Sequence, residues 1–336
     1  MKQKESFKTA RVIAQYRGKY RVLCEHREYW AAVTGKYIFK AESQIDYPVV
    51  GDMVNIVDIG TGNAVIKHIL PRKSIIGRKS ADKNSVQPIA ANVDVAFIVQ
   101  AVDRDFNLNR FERYLTISRA GRINPVLVLN KTDLIPPEEL EEKILAVEER
   151  FKDTPLLTAN IVNENGLDSL ARAIKKDQVY CFLGSSGVGK SSLINNLLKQ
   201  QSIKTKEISA QTKKGRHTTT HRELFVLKNG GMVIDNPGMR EVGLADVDEG
   251  VRSVFSEIEQ LSKACKFADC SHQSEPECAV LSAVKAGSIS ESKYANYVKL
   301  KKEAEHYTLT NLEKRVKDRS FGRMIKAYKK QKKNLK

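Results

Sequence analysis

The chain has 336 residues, 41% of them hydrophobic and 29% charged, with a formal net charge of +17. No apolar run approaches the roughly 20 residues of a membrane span, and the opening MKQKESFKTA lacks the apolar stretch of a signal peptide, so a cytoplasmic protein with no membrane partner is expected. Five cysteines, three of them within fourteen residues, exclude a disulfide framework and point instead to metal binding in a reducing compartment.

The length allows two or three domains, and the charge is unevenly spread among them. Residues 1–80 carry 15 Lys/Arg against 7 Asp/Glu, residues 311–336 carry 11 against 2, and the intervening 230 residues balance at 31 against 31. A basic footprint confined to the two ends predicts contact with a polyanion there and chemistry in the middle.

In chain order, TARVIAQYRGKYRVLC (9–24), WAAVTGKYIF and PVVGDMVNIVDIGTGNAVIKHIL read as short β-branched strands separated by turns, with no helical period. Over residues 1–80 this predicts a small β-barrel of the OB type, although strand patterning does not separate it from another β-domain of that size. From about residue 90, strands such as 93–102 and 123–130 alternate with helical stretches at Asn109–Ala120 and Pro137–Phe151, the βα pattern of a doubly wound parallel sheet. This α/β unit is expected to span 81–244. A helical unit follows over 245–336, ending in a Lys/Arg-rich tail.

Asn130-Lys131-Thr132-Asp133 closes the strand VLVL and fits N-K-x-D. A carboxylate at Asp133 can accept hydrogen bonds from both guanine N1–H and the exocyclic amine, whereas adenine would leave it unpaired. Thr158-Ala159-Asn160 is a candidate second turn against the base. Gly184-Ser185-Ser186-Gly187-Val188-Gly189-Lys190-Ser191 fits G-x-x-x-x-G-K-[ST] between the strand VYCFL (179–183) and the helix SSLINNLL (191–198). Its glycines let backbone amides turn toward a β-phosphate at a helix N-terminus, Lys190 reaches the β- and γ-phosphates, Ser191 binds Mg²⁺, and Ser192 completes the turn.

Gly215-Arg216-His217-Thr218-Thr219-Thr220 is a candidate switch. Thr219, to within one position, is expected to join the Mg²⁺ shell when GTP is bound. MVIDNPG (232–238) ends in D-x-P-G, with Asp235 placed to hold Mg²⁺ through water and the Gly238 amide placed to meet the γ-phosphate. Cys265-x4-Cys270-x-His272-x5-Cys278 is a four-ligand set suited to one structural Zn²⁺ with no open position.

The order of these motifs is unusual. Ordinary GTPases run P-loop, switch threonine, D-x-x-G, N-K-x-D, whereas here N-K-x-D comes first and D-x-P-G last. A circular permutation builds the same sheet from this order. It also makes the D-x-P-G strand lead straight into the C-terminal unit.

A β-barrel, the permuted motifs NKTD, GSSGVGKS, GRHTTT and DNPG, and C-x4-C-x-H-x5-C together resemble the ribosome small-subunit-dependent GTPases, the RsgA/YjeQ family. The resemblance covers nearly the whole chain. It implies an RNA-binding OB domain, a GTPase domain, a zinc-binding helical domain, and action as a late assembly factor whose GTP hydrolysis the small ribosomal subunit and its rRNA stimulate. Two features depart from the family pattern: Asn236 stands where Ser or Thr is common, and the basic tail is long, which would suit a paralogue with a shifted role. A GTPase or GTP-sensing protein acting on another structured RNA is the alternative reading, and a monomer is expected. The position just after D-x-P-G, where many GTPases place a water-orienting Gln, is Met239. His217 is the candidate to orient the water instead, against the alternative of a loop histidine bonded to backbone or rRNA.

Overall fold

The computed structural model describes residues 7–79, 86–103, 106–201, 222–235 and 247–308. The N-terminal strands β1 (Lys8–Tyr16), β2 (Lys19–Cys24), β3 (Arg27–Val33), β4 (Met53–Gly60) and β5 (Asn63–Ile69) pair in the order 1-2-3-5-4, and β4 returns to β1 to close an OB-like barrel. Alternate side chains fill it: Val12, Val22, Val54, Ile56 and Ile66 are wholly buried, as a half-exposed strand of period two requires.

One expectation fails here. The stretch WAAVTGKYIF is not all strand: β3 ends at Val33, and Gly35–Lys40 forms a short helix, α1. Thr34 caps it, its Oγ1 accepting from the Tyr37 amide at 3.1 Å, and a side-chain cap of this kind outweighs the β-propensity of Tyr, Ile and Phe.

A buried ion pair braces the segment after α1. Asp52 is fully buried and takes two hydrogen bonds from Arg72, at 2.8 and 2.7 Å. The same guanidinium donates to the carbonyls of Ile45 (2.6 Å), on a one-turn 3-10 helix, Gln44–Asp46, and of Tyr47 (2.9 Å) just past it. A hairpin of β6 (Ile75–Lys79) and β7 (Val86–Ala91) then leads to the larger unit.

That unit contains β8 (Val95–Ala101), α2 (Leu108–Ala120), β9 (Asn124–Asn130), α3 (Pro137–Arg150), β10 (Leu156–Ala159), α4 (Asp168–Ala173), β11 (Val179–Leu183), α5 (Lys190–Gln201), β12 (Arg222–Val226) and β13 (Met232–Asp235). The strands lie in the order β10-β9-β8-β11-β13-β12, parallel except for β12. Alternate residues of each strand face opposite layers. Ile98, Leu127, Cys181 and Ile234 go to one core, and Phe97, Val128, Phe182 and Val233 to the other.

Barrel and sheet are joined edge to edge. β1 pairs with β4 over Lys8–Arg11 and then with β12 at Ala14↔Glu223 and Gln15↔Arg222. Between these two partners the register with β2 slips by one residue, so Ile13 is extra, and its buried side chain enters the core of the larger sheet instead of the barrel. A bulge bends its strand, and here the bend carries β1 from one sheet to the other.

The C-terminal helices α6 (Asp248–Val254), α7 (Ser256–Ser262), α8 (Ala279–Lys285) and α9 (Glu291–Thr308) lie over α2. Val251, Phe255, Tyr297 and Leu300 belong to the same apolar cluster as Phe111 and Leu115 of α2, so this region shares the core of the sheet. Polar contacts fix the register. Arg113 makes a two-pronged bridge to Glu303 at 2.7 and 2.8 Å, and buried Glu112 meets Arg150 (2.8 Å) and Asn296 (2.5 Å). Burial raises the carboxyl pKa of Glu112 even though Arg150 opposes the shift.

The Asp52–Arg72 pair supplies a stability test. Arg72→Ala strands a fully buried carboxylate and is expected to cost about 3–5 kcal/mol in urea unfolding. A loss below about 1 kcal/mol, the worth of an exposed pair, would show that the pair does not brace the barrel.

Candidate functional site

The carboxyl ends of β9, β10, β11 and β13 open on one edge of the sheet, where ligands bind in doubly wound folds. The sequence motifs sit at these ends. The loop Gly184–Lys190 leaves β11 and enters α5 at Lys190. Gly184 has φ +143° and an added Cβ would lie 2.3 Å from the Val99 carbonyl, and Gly189 has φ +96°. Neither position tolerates a side chain without strain. Buried Val188 anchors the loop in the core, Ser186 and Gly187 are exposed, and Ser191 and Ser192 are exposed on the first turn of α5. Lys190 Nζ folds back over the loop, donating to the carbonyls of Gly184 (2.6 Å) and Ser185 (2.5 Å).

Asn130 ends β9 and reaches across to this loop. Its Nδ2 donates to the Val188 carbonyl at 2.8 Å, and it would lie 2.3 Å from a Cβ placed on Gly189. Its Oδ1 is a buried oxygen with no hydrogen-bond partner among the described residues, a mark common at functional sites. Lys131 takes a left-handed conformation, φ +62°, which turns the chain so that Thr132 faces the next loop. There Asn160 Nδ2 donates to Thr132 Oγ1 at 3.2 Å, and Thr132 Oγ1 lies 3.4 Å from the Ala159 carbonyl. Ser169 Oγ holds the Thr158 carbonyl at 2.7 Å. The Asp133 carboxylate is exposed beside these loops. Asp235 closes β13, the strand paired with β11, and so reaches the same edge.

Two side chains that serve this edge were missed or underused in the sequence reading. Asp103 Oδ2 meets Lys131 Nζ at 3.1 Å, and Asn160 carries the link between the loops after β9 and β10. A carboxylate just past the apolar run VAFIVQAV was the available signal for Asp103. His217, Thr219, Gly238, Asn236 and Met239 lie outside the described residues, as does the tail from 309 onward.

A second cluster lies between α7 and α8. The ligand atoms of Cys265, Cys270, His272 and Cys278 all fall within 4.8 Å of one another, a candidate metal centre. Cys265 Sγ is 3.8 Å from Cys278 Sγ, and His272 Nδ1 is 3.6 Å from both sulfurs. The turn is held from outside: Glu275 accepts from the amides of Ser271, Gln273 and Ser274, and Tyr294 OH donates to the His272 carbonyl at 2.6 Å. Burial pushes the Cys270 thiol up to about 11 and His272 down; at Cys265 burial also pushes up, but the amides of Val280 and Ala279 together with the Cys278 and Cys270 side chains hold the thiol below its ordinary range. The other two cysteines, Cys24 and Cys181, are buried in the barrel and sheet cores and belong to no such cluster among the described residues.

A phosphate-loop sheet carrying an N-K-x-D loop on an earlier strand than the P-loop defines a circularly permuted P-loop GTPase. The chain belongs to the RsgA GTPase family, whose model matches residues 69–245. It is 40% identical over 314 residues to "Small ribosomal subunit biogenesis GTPase RsgA 2" of Lactiplantibacillus plantarum, covering 93% of this chain and 88% of the relative. Among solved structures it resembles YjeQ from Thermotoga maritima (TM-score 0.65, 26% identity, 88% of this chain and 97% of that one). It also resembles the circularly permuted GTPase YloQ (TM-score 0.64, 25% identity, 92% and 99%).

The contact between Asn130 and Gly189 yields a prediction. Gly189→Ala combines a 2.3 Å clash with a left-handed φ and is expected to weaken GDP and GTP binding about 10- to 100-fold in fluorescent-nucleotide titrations. An unchanged affinity would mean that the loop is free to move away from Asn130.

Proposed function

We propose that this GTPase acts in biogenesis of the small ribosomal subunit, as a cytoplasmic monomer whose GTP hydrolysis the subunit and its rRNA stimulate. The observation that carries the reading is the 40% identity, along nearly the whole chain, to a relative named for that process. The excess of 15 Lys/Arg over 7 Asp/Glu in residues 1–80 supports RNA contact by the barrel. We take the chain as three units, 1–80, 81–244 and 245–336.

In this reading Asp133 accepts from guanine N1–H and the exocyclic amine, Asn130 holds the base loop to the phosphate loop, Lys131 and Thr132 shape it, and Thr158 and Ala159 border the base. The amides of Gly184, Ser185, Ser186, Gly187, Val188 and Gly189 cradle the phosphates, with Ser192 beside them. Lys190 exchanges the neutral carbonyls of Gly184 and Ser185 for charged phosphate oxygens, a stronger hydrogen bond. Ser191, Thr219 and, through water, Asp235 would hold Mg²⁺, a hard ion that suits such oxygen donors and that neutralises phosphate charge when bound. Gly238 contributes an amide to the γ-phosphate, and His217 orients the attacking water.

The cysteine cluster fits zinc. A tetrahedron with arms of about 2.3 Å to sulfur and about 2.05 Å to nitrogen has S–S edges of about 3.8 Å and S–N edges of about 3.6 Å. The three separations among Cys265, His272 and Cys278 match these edges, at 3.8 and 3.6 Å, and the Cys270 sulfur lies within 4.8 Å of the other three ligand atoms. Four protein ligands leave no open position, so this ion is structural and anchors the turn between α7 and α8.

Turnover of GTP with and without purified small subunits tests the function. Stimulation by small subunits and not by tRNA is expected, and stimulation by tRNA alone would assign the enzyme to another RNA. His217→Ala is expected to bind GTP normally but to lose about 10²-fold in single-turnover hydrolysis on saturating subunits. Wild-type turnover by that variant would remove His217 from the chemistry.

Base selection is tested separately. Asp133→Asn replaces a double acceptor with an amide and is expected to shift preference from GTP to xanthosine triphosphate, whose extra carbonyl suits a donor. Equal affinities of the unaltered protein for ATP and GTP would overturn the assignment of Asp133.

A further inference from the structure

The helix α1 is built in a way that core packing does not explain. None of its six residues is buried, and its two large apolar side chains face water: Phe39 is 92% exposed and Ile38 51%. Leaving an entire phenyl ring in water forgoes the roughly 1.5–3 kcal/mol that its burial would contribute.

The turn is nevertheless held firmly. Thr34 caps its start, and the Ala41 amide closes its end on the carbonyls of Tyr37 (3.1 Å) and Ile38 (3.3 Å). Tyr37 OH donates to the Asp46 carbonyl at 2.6 Å, and Asp46 Oδ2 gathers the amides of Glu42 (3.0 Å) and Ser43 (2.9 Å). Behind this segment stands Arg72, tied to buried Asp52 and gripping the Ile45 and Tyr47 carbonyls. The aromatic ring is therefore presented by a pre-organised turn, which lowers the ordering cost of binding.

Its neighbours indicate what it binds. Lys36, Phe39 and Lys40 have i, i+3, i+4 spacing and share one side of the turn, with both lysines exposed. An exposed aromatic between cations, on a barrel whose 80-residue segment carries 15 Lys/Arg against 7 Asp/Glu, is complementary to a base and its flanking phosphates. The Asp46 carboxylate is occupied by its own turn, which leaves Glu42 as the exposed acid between Gly35 and Ile45.

We propose that α1 is a base-stacking finger: Phe39 stacks on an unpaired nucleobase of RNA while Lys36 and Lys40 take the adjacent phosphates. The proposal rests on the reading of the barrel as facing ribosomal RNA, and it names the element and the mode of contact. Stacking on an exposed phenyl needs a base with a free face, so the finger selects single-stranded or bulged RNA over a continuous duplex.

The test uses the full chain and a labelled 12-nucleotide single-stranded RNA, followed by anisotropy across a salt series. Phe39→Ala is expected to weaken binding about 5- to 150-fold with an unchanged salt slope, and Phe39→Tyr to restore it to within about twofold. Phe39→Leu should remain weak, because it keeps apolar area without a π-face. Lys36→Ala and Lys40→Ala should each lower the salt slope by about 0.7. The melting temperature of Phe39→Ala should match that of the unaltered protein, since the ring is 92% exposed, and that match assigns any loss to binding.

Wild-type RNA affinity in Phe39→Ala overturns the proposal. Recovery in Phe39→Leu also overturns it, and assigns the patch to an apolar protein partner. The ribosomal reading is judged apart, by stimulation of GTP turnover. Phe39-dependent RNA binding without small-subunit stimulation would leave the finger standing and remove the ribosome. Stimulation with RNA affinity indifferent to residue 39 would do the reverse.

Discussion

The candidate site depends on one side chain placed between two loops whose order in the chain the permutation has reversed. Asn130 ends the strand before the N-K-x-D turn, and its amide donates to the Val188 carbonyl of the P-loop, which lies 58 residues later in the sequence. The absence of a Cβ at Gly189 makes that approach possible. From this contact the geometry spreads outward: Lys131 turns left-handed, Thr132 meets Asn160, and Ser169 steadies the loop from behind. The N-K-x-D loop and the P-loop are thereby held at a fixed separation without covalent proximity, and because β9, β10, β11 and β13 run parallel and open on one edge, the order of connection is immaterial to that arrangement.

Permutation changes what lies downstream of the site more than the site itself. Asp235 ends β13, and the next described residues belong to helices that rest on α2 through one shared apolar core. The Arg113–Glu303 bridge and the buried Glu112–Arg150–Asn296 group make that docking specific in register as well as hydrophobic. On the other side, β12 leads directly into β13 and is paired with β1 of the barrel. The strand that carries Asp235 is thus flanked in sequence by a contact to each of the other two regions.

Much of this was legible in the sequence because it depends on local chemistry. The P-loop and N-K-x-D motifs require particular residues at fixed spacing, and the strands VYCFL and VLVL are apolar runs that only a sheet covered on both faces would bury. The four residues of the candidate metal centre announced themselves by spacing alone. What escaped was tertiary. The helix in GKYIFK is set by the Thr34 cap and by the Tyr37–Asp46 and Arg72 contacts, none of which appears in the β-rich propensity of the segment. The salt bridge from Asp103 to Lys131 and the bulge at Ile13 are likewise consequences of which strands become neighbours.

The edge-to-edge joint between β1 and β12 also bears on how much open edge the sheet presents. An open sheet ordinarily presents two rows of unpaired backbone groups, each a template on which another chain can add a strand and begin to aggregate. Here one end of the long sheet runs through β12 and the Ile13 bulge into a closed barrel, so β1 takes up the row at Arg222 and Glu223. The remaining end of that sheet is β10, only four residues long, too short to template an extended pairing. Fusing a barrel to the sheet therefore shortens its open edge, and it does so with the same strand that connects the two units.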